Sequence, residues 1–131
     1  MIKYSKFFIL LFLILLSNNL FAQNSIPEPS QAVTVPYRLF RTQNMWAFIE
    51  LETATGRMWQ IHFAINDDNS RGQVILNAQN LAEGRDVIVG RFTLHPAQNI
   101  YTFILHDQID GRTRQVQWSN ERMNRLIIPI G

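Results

Sequence analysis

Apolar and polar residues alternate over short stretches of this chain, as they do in β-strands that bury one face. In the stretch 57–65, Trp59 and Phe63 fall on one side of such a strand and Gln60 falls on the other. Successive side chains of a strand point to opposite faces of its sheet. The pattern therefore predicts a strand that turns its tryptophan side to a core. The predicted inner set is Trp59, Ile61, Phe63 and Ile65, and the outer set is Met58, Gln60, His62 and Ala64.

The same pattern returns 55 residues later without a gap, which indicates an internal repeat. Leu39 corresponds to Leu94, and Phe48 corresponds to Phe103. The predicted strands are 37–41, 45–52, 57–65 and 73–77 in the first unit and 90–94, 100–107, 112–120 and 126–130 in the second. In the second unit, Val116 and Trp118 are predicted to face the core, with Gln115 and Gln117 outside.

Turn residues separate these strands at matching places. The sequences TQN (42–44) and AQN (97–99) each predict a tight corner, because Asn side chains bond to their own backbone. The sequences TATG (53–56) and QIDG (108–111) predict hairpins in which Gly56 and Gly111 take positive φ.

A three- or four-stranded sheet cannot bury its own face, but two such sheets can cover each other. The chain is therefore predicted to be all-β, with two tandem antiparallel units of three to four strands packed as a small sandwich or barrel. The single domain would span residues 37–131, with repeats at 37–77 and 90–130. Pro129 predicts that the last strand is an edge strand, since proline lacks the N–H that a central strand needs.

The N-terminus predicts export. Lys3 and Lys6 precede ten apolar residues at 7–16, and a cleavage site after Ala22 would make residues 1–22 a signal peptide. Ten apolar residues are too few for a bilayer span, which needs about 20. Residues 23–36 contain three prolines and predict a flexible lead-in. The expected location is the periplasm or the extracellular space, with no membrane span after cleavage.

Charge and cysteine content narrow the function. The net charge of +2 comes from Lys3 and Lys6, so the exported part is formally neutral and has no basic excess for nucleic acid. The chain contains no cysteine, so core packing must hold it together without disulfides.

No catalytic residues, metal ligands or cofactors are predicted. Glu50 and Glu52 would share one strand face, but Leu105 replaces the first of them in the second unit. His62, His95 and His106 lack zinc-site spacing. The stretch NDDNS (66–70) lacks the glycine and the distal glutamate of a calcium loop.

Aromatic and amide side chains at the repeated corners are the remaining candidates for ligand binding. Aromatic faces beside amides can stack on and hydrogen-bond to a sugar or a peptide. The alternative, which is favoured for each residue taken singly, is structural, with the aromatic rings in the core and the amides capping turns. The candidate residues are Trp46, Tyr101, Arg114, Gln43, Asn44, Gln98 and Asn99.

The paired motif, TQNMW with TGRMWQ and AQNIY with DGRTRQVQW, resembles small exported proteins of gut-type Bacteroidota over residues 37–130. The resemblance implies an exported β protein and no particular activity. Arg114 departs from the group's pattern, where a tryptophan is usual. The stretch LETATGRMW (51–59) is also similar to the hairpin of a quinoprotein-type propeller blade, with Trp59 one residue early. Two units cannot close a propeller, so either two chains complete a ring or the units form a sandwich or barrel, and we favour the latter.

The predicted function is a non-catalytic binding or interaction module at the cell envelope, with a glycan or a protein as partner. A structural protein that assembles through edge strands is the first alternative, and a small envelope enzyme or enzyme inhibitor is the second. The sequence leaves the oligomeric state open.

Overall fold

The structure of the chain is a computed structural model that describes residues 35–64 and 71–131. Within these ranges the elements are β1 (Tyr37–Arg41), β2 (Ala47–Glu52), β3 (Met58–His62), β4 (Gly72–Asn77), β5 (Phe92–Pro96), β6 (Thr102–Asp107), β7 (Thr113–Gln117), a short 3-10 helix (Arg122–Asn124) and β8 (Leu126–Ile130). The predicted signal peptide, lead-in residues 23–34, Ile65 and the loop 66–70 lie outside the described residues.

The strands form two four-stranded antiparallel sheets with orders β1-β2-β3-β4 and β5-β6-β7-β8. We call them the first sheet and the second sheet. Neither closes on itself, so the prediction of an all-β protein is confirmed in its sandwich form and not as a barrel. Pro129 lies in β8, at the edge of the second sheet, as its missing N–H predicts.

The two sheets repeat the same strand register over their first three strands. Phe40 pairs with Ile49 in the first sheet, and their equivalents His95 and Ile104 pair in the second. The hairpin between β2 and β3 and the hairpin between β6 and β7 close through equivalent backbone bonds. The N–H of Gly56 donates to the carbonyl of Glu52, and the N–H of Gly111 donates to the carbonyl of Asp107, both at 2.9 Å. Equivalent residues therefore point to equivalent faces of the two sheets.

The core lies between the sheets, and each sheet contributes a different face to it. The first sheet buries the face of Ile49, and the second sheet buries the face of Phe103, whose equivalent in the first sheet is Phe48. Phe48 and Ile49 are neighbours in β2, so their side chains lie on opposite faces of the first sheet. The second sheet therefore packs with the face that is equivalent to the outer face of the first sheet. As a result the two repeat units stack in the same orientation and do not face each other. The core residues are Phe40, Ala47, Ile49, Leu51, Met58, Leu76, Ala82, Phe92, Leu94, Phe103, Leu105, Val116 and Trp118.

This stacking makes one sequence prediction wrong and confirms its counterpart. In β3 the core-facing residues are Met58 and Gln60, whereas Trp59 is half-buried and Phe63 is exposed on the other side. In the second unit, Trp118 is buried as predicted. Alternation identifies the residues that share a face, but it does not specify which face another sheet will cover.

Polar groups join the two sheets across and beside the core. Gln60 is fully buried, donates from Nε2 to the carbonyl of Ser119 at 3.0 Å and accepts from its N–H at 3.1 Å. The carbonyl of Thr53 accepts from the N–H of Phe92 at 2.8 Å, and its hydroxyl accepts from the N–H of Gly90 at 3.0 Å. These contacts fix the position of the second sheet on the first.

Candidate functional site

The amides at the repeated corners cap turns. The Oδ1 of Asn44 accepts from the N–H of Trp46 at 2.9 Å, and the Oδ1 of Asn99 accepts from the N–H of Tyr101 at 3.1 Å. In this arrangement the side chain replaces a backbone carbonyl and stabilises the corner. Both asparagines therefore perform the structural role that the sequence analysis had set beside ligand binding.

The two corners lie at the same end of the molecule. The Nε2 of Gln43 donates to the backbone carbonyl of Gln98 at 2.9 Å, which joins the corner before β2 to the corner before β6. Both glutamines are exposed. Six of the seven predicted site residues are thus brought together on this surface.

The corner aromatics pack on a second ring in each unit. The rings of Trp46 and Phe63 lie 5.4 Å apart, and those of Tyr101 and Trp118 lie 5.3 Å apart. Trp46 is half-buried, whereas Tyr101 is 47% exposed and covers the buried Trp118. The tyrosine face is therefore the more accessible stacking surface at this end.

Arg114 is placed elsewhere. It pairs with Leu105 in the sheet, whereas Tyr101 immediately precedes β6. Four residues of strand separate the two levels, roughly 13 Å at the usual rise per residue. Arg114 lines a shallow pocket near the 107–112 hairpin with Asp107 and Arg112.

The carboxylates considered for acid–base chemistry make structural contacts. Oε2 of Glu50 accepts from Nε2 of Gln73 at 3.0 Å, and Glu52 accepts from the hydroxyls of Thr55 and Tyr37. Glu50 and Trp59 pair on the face of the first sheet that points away from the core. Neither carboxylate contacts a described histidine in the hydrogen bonds of this region.

The described histidines are distributed over other surfaces. His62 lies on the core-facing side of β3, where burial and then the positive charge of Arg125 lower the pKa of its imidazole. His95 and His106 lie 6.0 Å apart, ring to ring, on the outer face of the second sheet. No group of three or more His, Cys, Asp or Glu residues suited to a metal ion occurs among the described residues. The candidate calcium stretch at 66–70 lies outside them.

Arg91 and Asp107 form a buried ion pair that the sequence pattern did not predict. Arg91 and Asp107 are each 3% exposed, and the guanidinium donates to one carboxylate oxygen from Nε and Nη2, both at 2.9 Å. Burial raises the pKa of Asp107, but the bonds from Arg91 and from the N–H groups of Ile109 and Asp110 outweigh it, so the net pKa is lowered. The pair fixes the 107–112 hairpin against the start of β5. The two residues are 16 positions apart in the sequence, and they belong to no sequence motif that would predict the contact.

The outer side of the first sheet carries an apolar surface, which we call the first open face. Leu39 on it is 58% exposed, whereas its repeat equivalent Leu94 is 3% exposed. Phe63 is 39% exposed, whereas its equivalent Trp118 is 1% exposed. The first open face consists of Tyr37, Leu39, Phe48, Trp59, Ile61, Phe63 and Ile75. The sequence pattern identified part of this set and assigned it to the core.

The outer side of the second sheet is more mixed, and we call it the second open face. It consists of His95, Thr102, Ile104, His106, Thr113, Gln115, Leu126, Ile128 and Ile130. Ile128 and Ile130 at its β8 edge are exposed. This face thus combines apolar residues with hydroxyls, amides and imidazoles.

Across residues 35–64 and 71–131, no helix has the length and apolar character needed to cross a bilayer. No family model matches the chain, and no curated protein or solved structure matches it significantly.

Proposed function

We propose that this chain is a non-catalytic interaction module, exported to the periplasm or beyond, that binds a protein through its first open face. The observation that carries the proposal is the exposure of Leu39 at a position where the repeat buries Leu94. The same residue type in the same register is core in one unit and surface in the other. Glycan binding at the corners and assembly through the edge strands are the competing proposals.

Covering the first open face releases free energy, because it removes exposed apolar side chains from water. Burying a leucine or phenylalanine side chain that was exposed contributes about 1.5–3 kcal/mol. Contiguous apolar surfaces of this kind mark interaction sites more often than single exposed residues do. Leu39, Phe63 and Ile75 are each exposed on one sheet face, so one partner can cover all three.

The test is site-specific photo-crosslinking in the exporting cell. A benzophenone amino acid replaces Leu39, and the matched control carries it at Met123, which is 95% exposed on the 3-10 helix and belongs to neither open face. The proposal expects a discrete crosslinked protein product from position 39 that is absent from position 123. Equal or absent crosslinking at the two positions contradicts it.

A glycan partner at the corners is the second candidate, because Tyr101 is exposed beside Gln43 and Gln98. Tryptophan fluorescence is titrated with a panel of glycans, with Tyr101→Ala and Trp46→Ala as variants. Trp118 lies beneath Tyr101, so occupation of this surface should change the tryptophan emission. A saturable change that Tyr101→Ala abolishes in a folded protein supports a sugar site. No change across the panel removes this candidate.

A further inference from the structure

The contact between the two sheets joins unlike surfaces. The first sheet contributes the face of Ile49, and the second contributes the face of Phe103, which corresponds to Phe48 on the opposite side of the first sheet. A contact between two different surfaces of a repeated unit is heterologous, or head-to-tail. It leaves one unused copy of each surface at the two ends of the stack.

Both unused surfaces are present on this chain as the open faces. Over the first three strands, the first open face corresponds in position to the core-facing side of the second sheet, as Leu39 does to Leu94. Trp59 on it stands where that side has the half-buried Arg114. The second open face corresponds to the buried face of the first sheet, as Ile104 does to Ile49 and Gln115 to Gln60. Each chain therefore carries both halves of an interface that it already makes once internally.

We propose that a second copy of this chain is the partner, and that copies stack head-to-tail, the first open face of one on the second open face of the next, into a closed ring. This inference rests on the proposed function, since it names the protein that covers the first open face. Rings of four-stranded sheets stacked in this way contain about four to eight sheets. Two to four copies, with two sheets each, supply that number.

The composition of the open faces fits contact between separate chains better than a continuous core. Glu50 lies beside Trp59 on the first open face, at the position equivalent to the buried Leu105 in the second sheet. On the second open face, His95 and His106 stand where the core of the first sheet has Phe40 and Leu51. Interfaces between separate chains are more polar than cores, and complementary charge orients them. The carboxylate of Glu50 thus lies on the first open face, and the imidazoles of His95 and His106 lie on the second open face.

Oligomeric mass is the first measurement, by light scattering on the exported full chain up to its highest soluble concentration. Leu39→Arg places a charge on the first open face, opposite Glu50 in the neighbouring strand, and Ile128→Arg does the same on the second open face beside Gln115. Met123→Arg is the matched control. Wild type and control should give one mass of two to four copies. Each open-face variant should raise the dissociation constant at least about 30-fold, as loss of a hot-spot contact does.

Mixing the two variants tests the head-to-tail geometry. Leu39→Arg retains a working second open face, and Ile128→Arg retains a working first open face. An equimolar mixture should therefore form a one-to-one heterodimer and nothing larger, although each variant alone is a monomer. Circular dichroism and thermal unfolding of each variant show whether it remains folded. If one variant does not fold, Ile75→Arg or Ile130→Arg replaces it on the same face.

Several outcomes overturn the inference. A wild-type monomer at all concentrations does so, as does an open filament without a defined mass. A dimer that only one of the two variants abolishes indicates a contact between like faces, which also contradicts it. If the crosslink from position 39 joins a different protein while the wild type is monomeric, the inference fails and the proposed function stands. If position 39 gives no protein crosslink, both fail.

Discussion

Gln60 is the side chain on which the contact between the two sheets should depend most. Its amide exchanges two hydrogen bonds with the backbone of Ser119, and its Nε2 lies 3.2 Å from Nε2 of His62. Because it is fully buried, water cannot substitute at the glutamine itself. The replacement Gln60→Leu keeps a similar volume and removes the bonds to Ser119. We expect it to lower the free energy of unfolding.

The expected magnitude follows from the partners that remain. The carbonyl of Ser119 keeps the Nε of Arg125 at 2.7 Å, so the groups that lose a partner are the Ser119 N–H and the half-buried imidazole of His62. An unpaired buried donor costs about 1–3 kcal/mol, and losing a bond between groups that stay satisfied costs about 1 kcal/mol. Ser119 is half-buried and leucine adds apolar burial, both of which offset part of the loss. The net loss should be about 2 kcal/mol, equivalent to a fall in Tm of roughly 8–16 °C for a domain of this size.

Urea denaturation followed by tryptophan fluorescence measures this loss. The matched control is Gln115→Leu, the same substitution at the repeat equivalent on the second open face, where the change should stay within about 0.5 kcal/mol. Both substitutions are made in the Leu39→Arg background, so that association of copies does not contribute. Equal losses at the two positions, or a loss at Gln60 no larger than the control's, would refute the head-to-tail assignment of the core face.

The repeat and its ion pair give three further predictions. Arg91→Met removes both guanidinium bonds from the buried carboxylate of Asp107, which keeps the N–H groups of Ile109 and Asp110 and has Arg85 at 3.8 Å. The substitution should lower the free energy of unfolding by about 3 kcal/mol, the lower end of the cost of breaking a buried pair; urea melts at neutral pH measure the loss, and a loss below about 1 kcal/mol would contradict it. The lowered pKa of Asp107 predicts a stabilising contribution that is complete above its unfolded value of 3.8 and is lost as pH falls through the folded value. Asp107→Asn should therefore flatten the acid side of the stability curve, and an unchanged slope would contradict the assignment. Gly56 and Gly111 have φ of +79° and +77°, but only at Gly56 would an added Cβ lie 3.0 Å from the Leu81 side chain. Gly111→Ala should cost about 1 kcal/mol from backbone strain, and Gly56→Ala should cost more because of the added crowding; equal thermal shifts would count against this packing.

Local features of the fold could be predicted from the sequence because local chemistry fixes them. The hairpin glycines take positive φ as expected, and Asn44 and Asn99 cap the corners that their repeated sequence indicated. Each of the eight predicted strands overlaps an observed one, and 37–41 and 126–130 agree at both ends. Three of them, 45–52, 90–94 and 100–107, begin two residues early, and 57–65 and 112–120 extend three residues beyond the observed strands. Alternation, turn residues and a constant repeat offset are properties of neighbouring residues, so they can be recognised without knowledge of the fold.

Contacts between distant residues could not be predicted in this way. The Arg91–Asp107 pair and the Gln60–Ser119 bonds depend on how the second sheet lies on the first. Arg114 lies far from the corners at 42–44 and 97–99 because it pairs with Leu105, which is four residues along β6 from Tyr101.

The sequence by itself determined that this chain consists of two equivalent four-stranded units with shared register, because side-chain alternation and turn chemistry act over a few residues. It did not determine which face of each unit is buried. Alternation divides the side chains of each sheet into two faces, and both units contain the same two faces, so the pattern alone does not say which of them another sheet covers. Only the tertiary structure decided that the units stack in one orientation. That choice placed Leu94 in the core and left Leu39 at the surface, with an apolar face available for a partner.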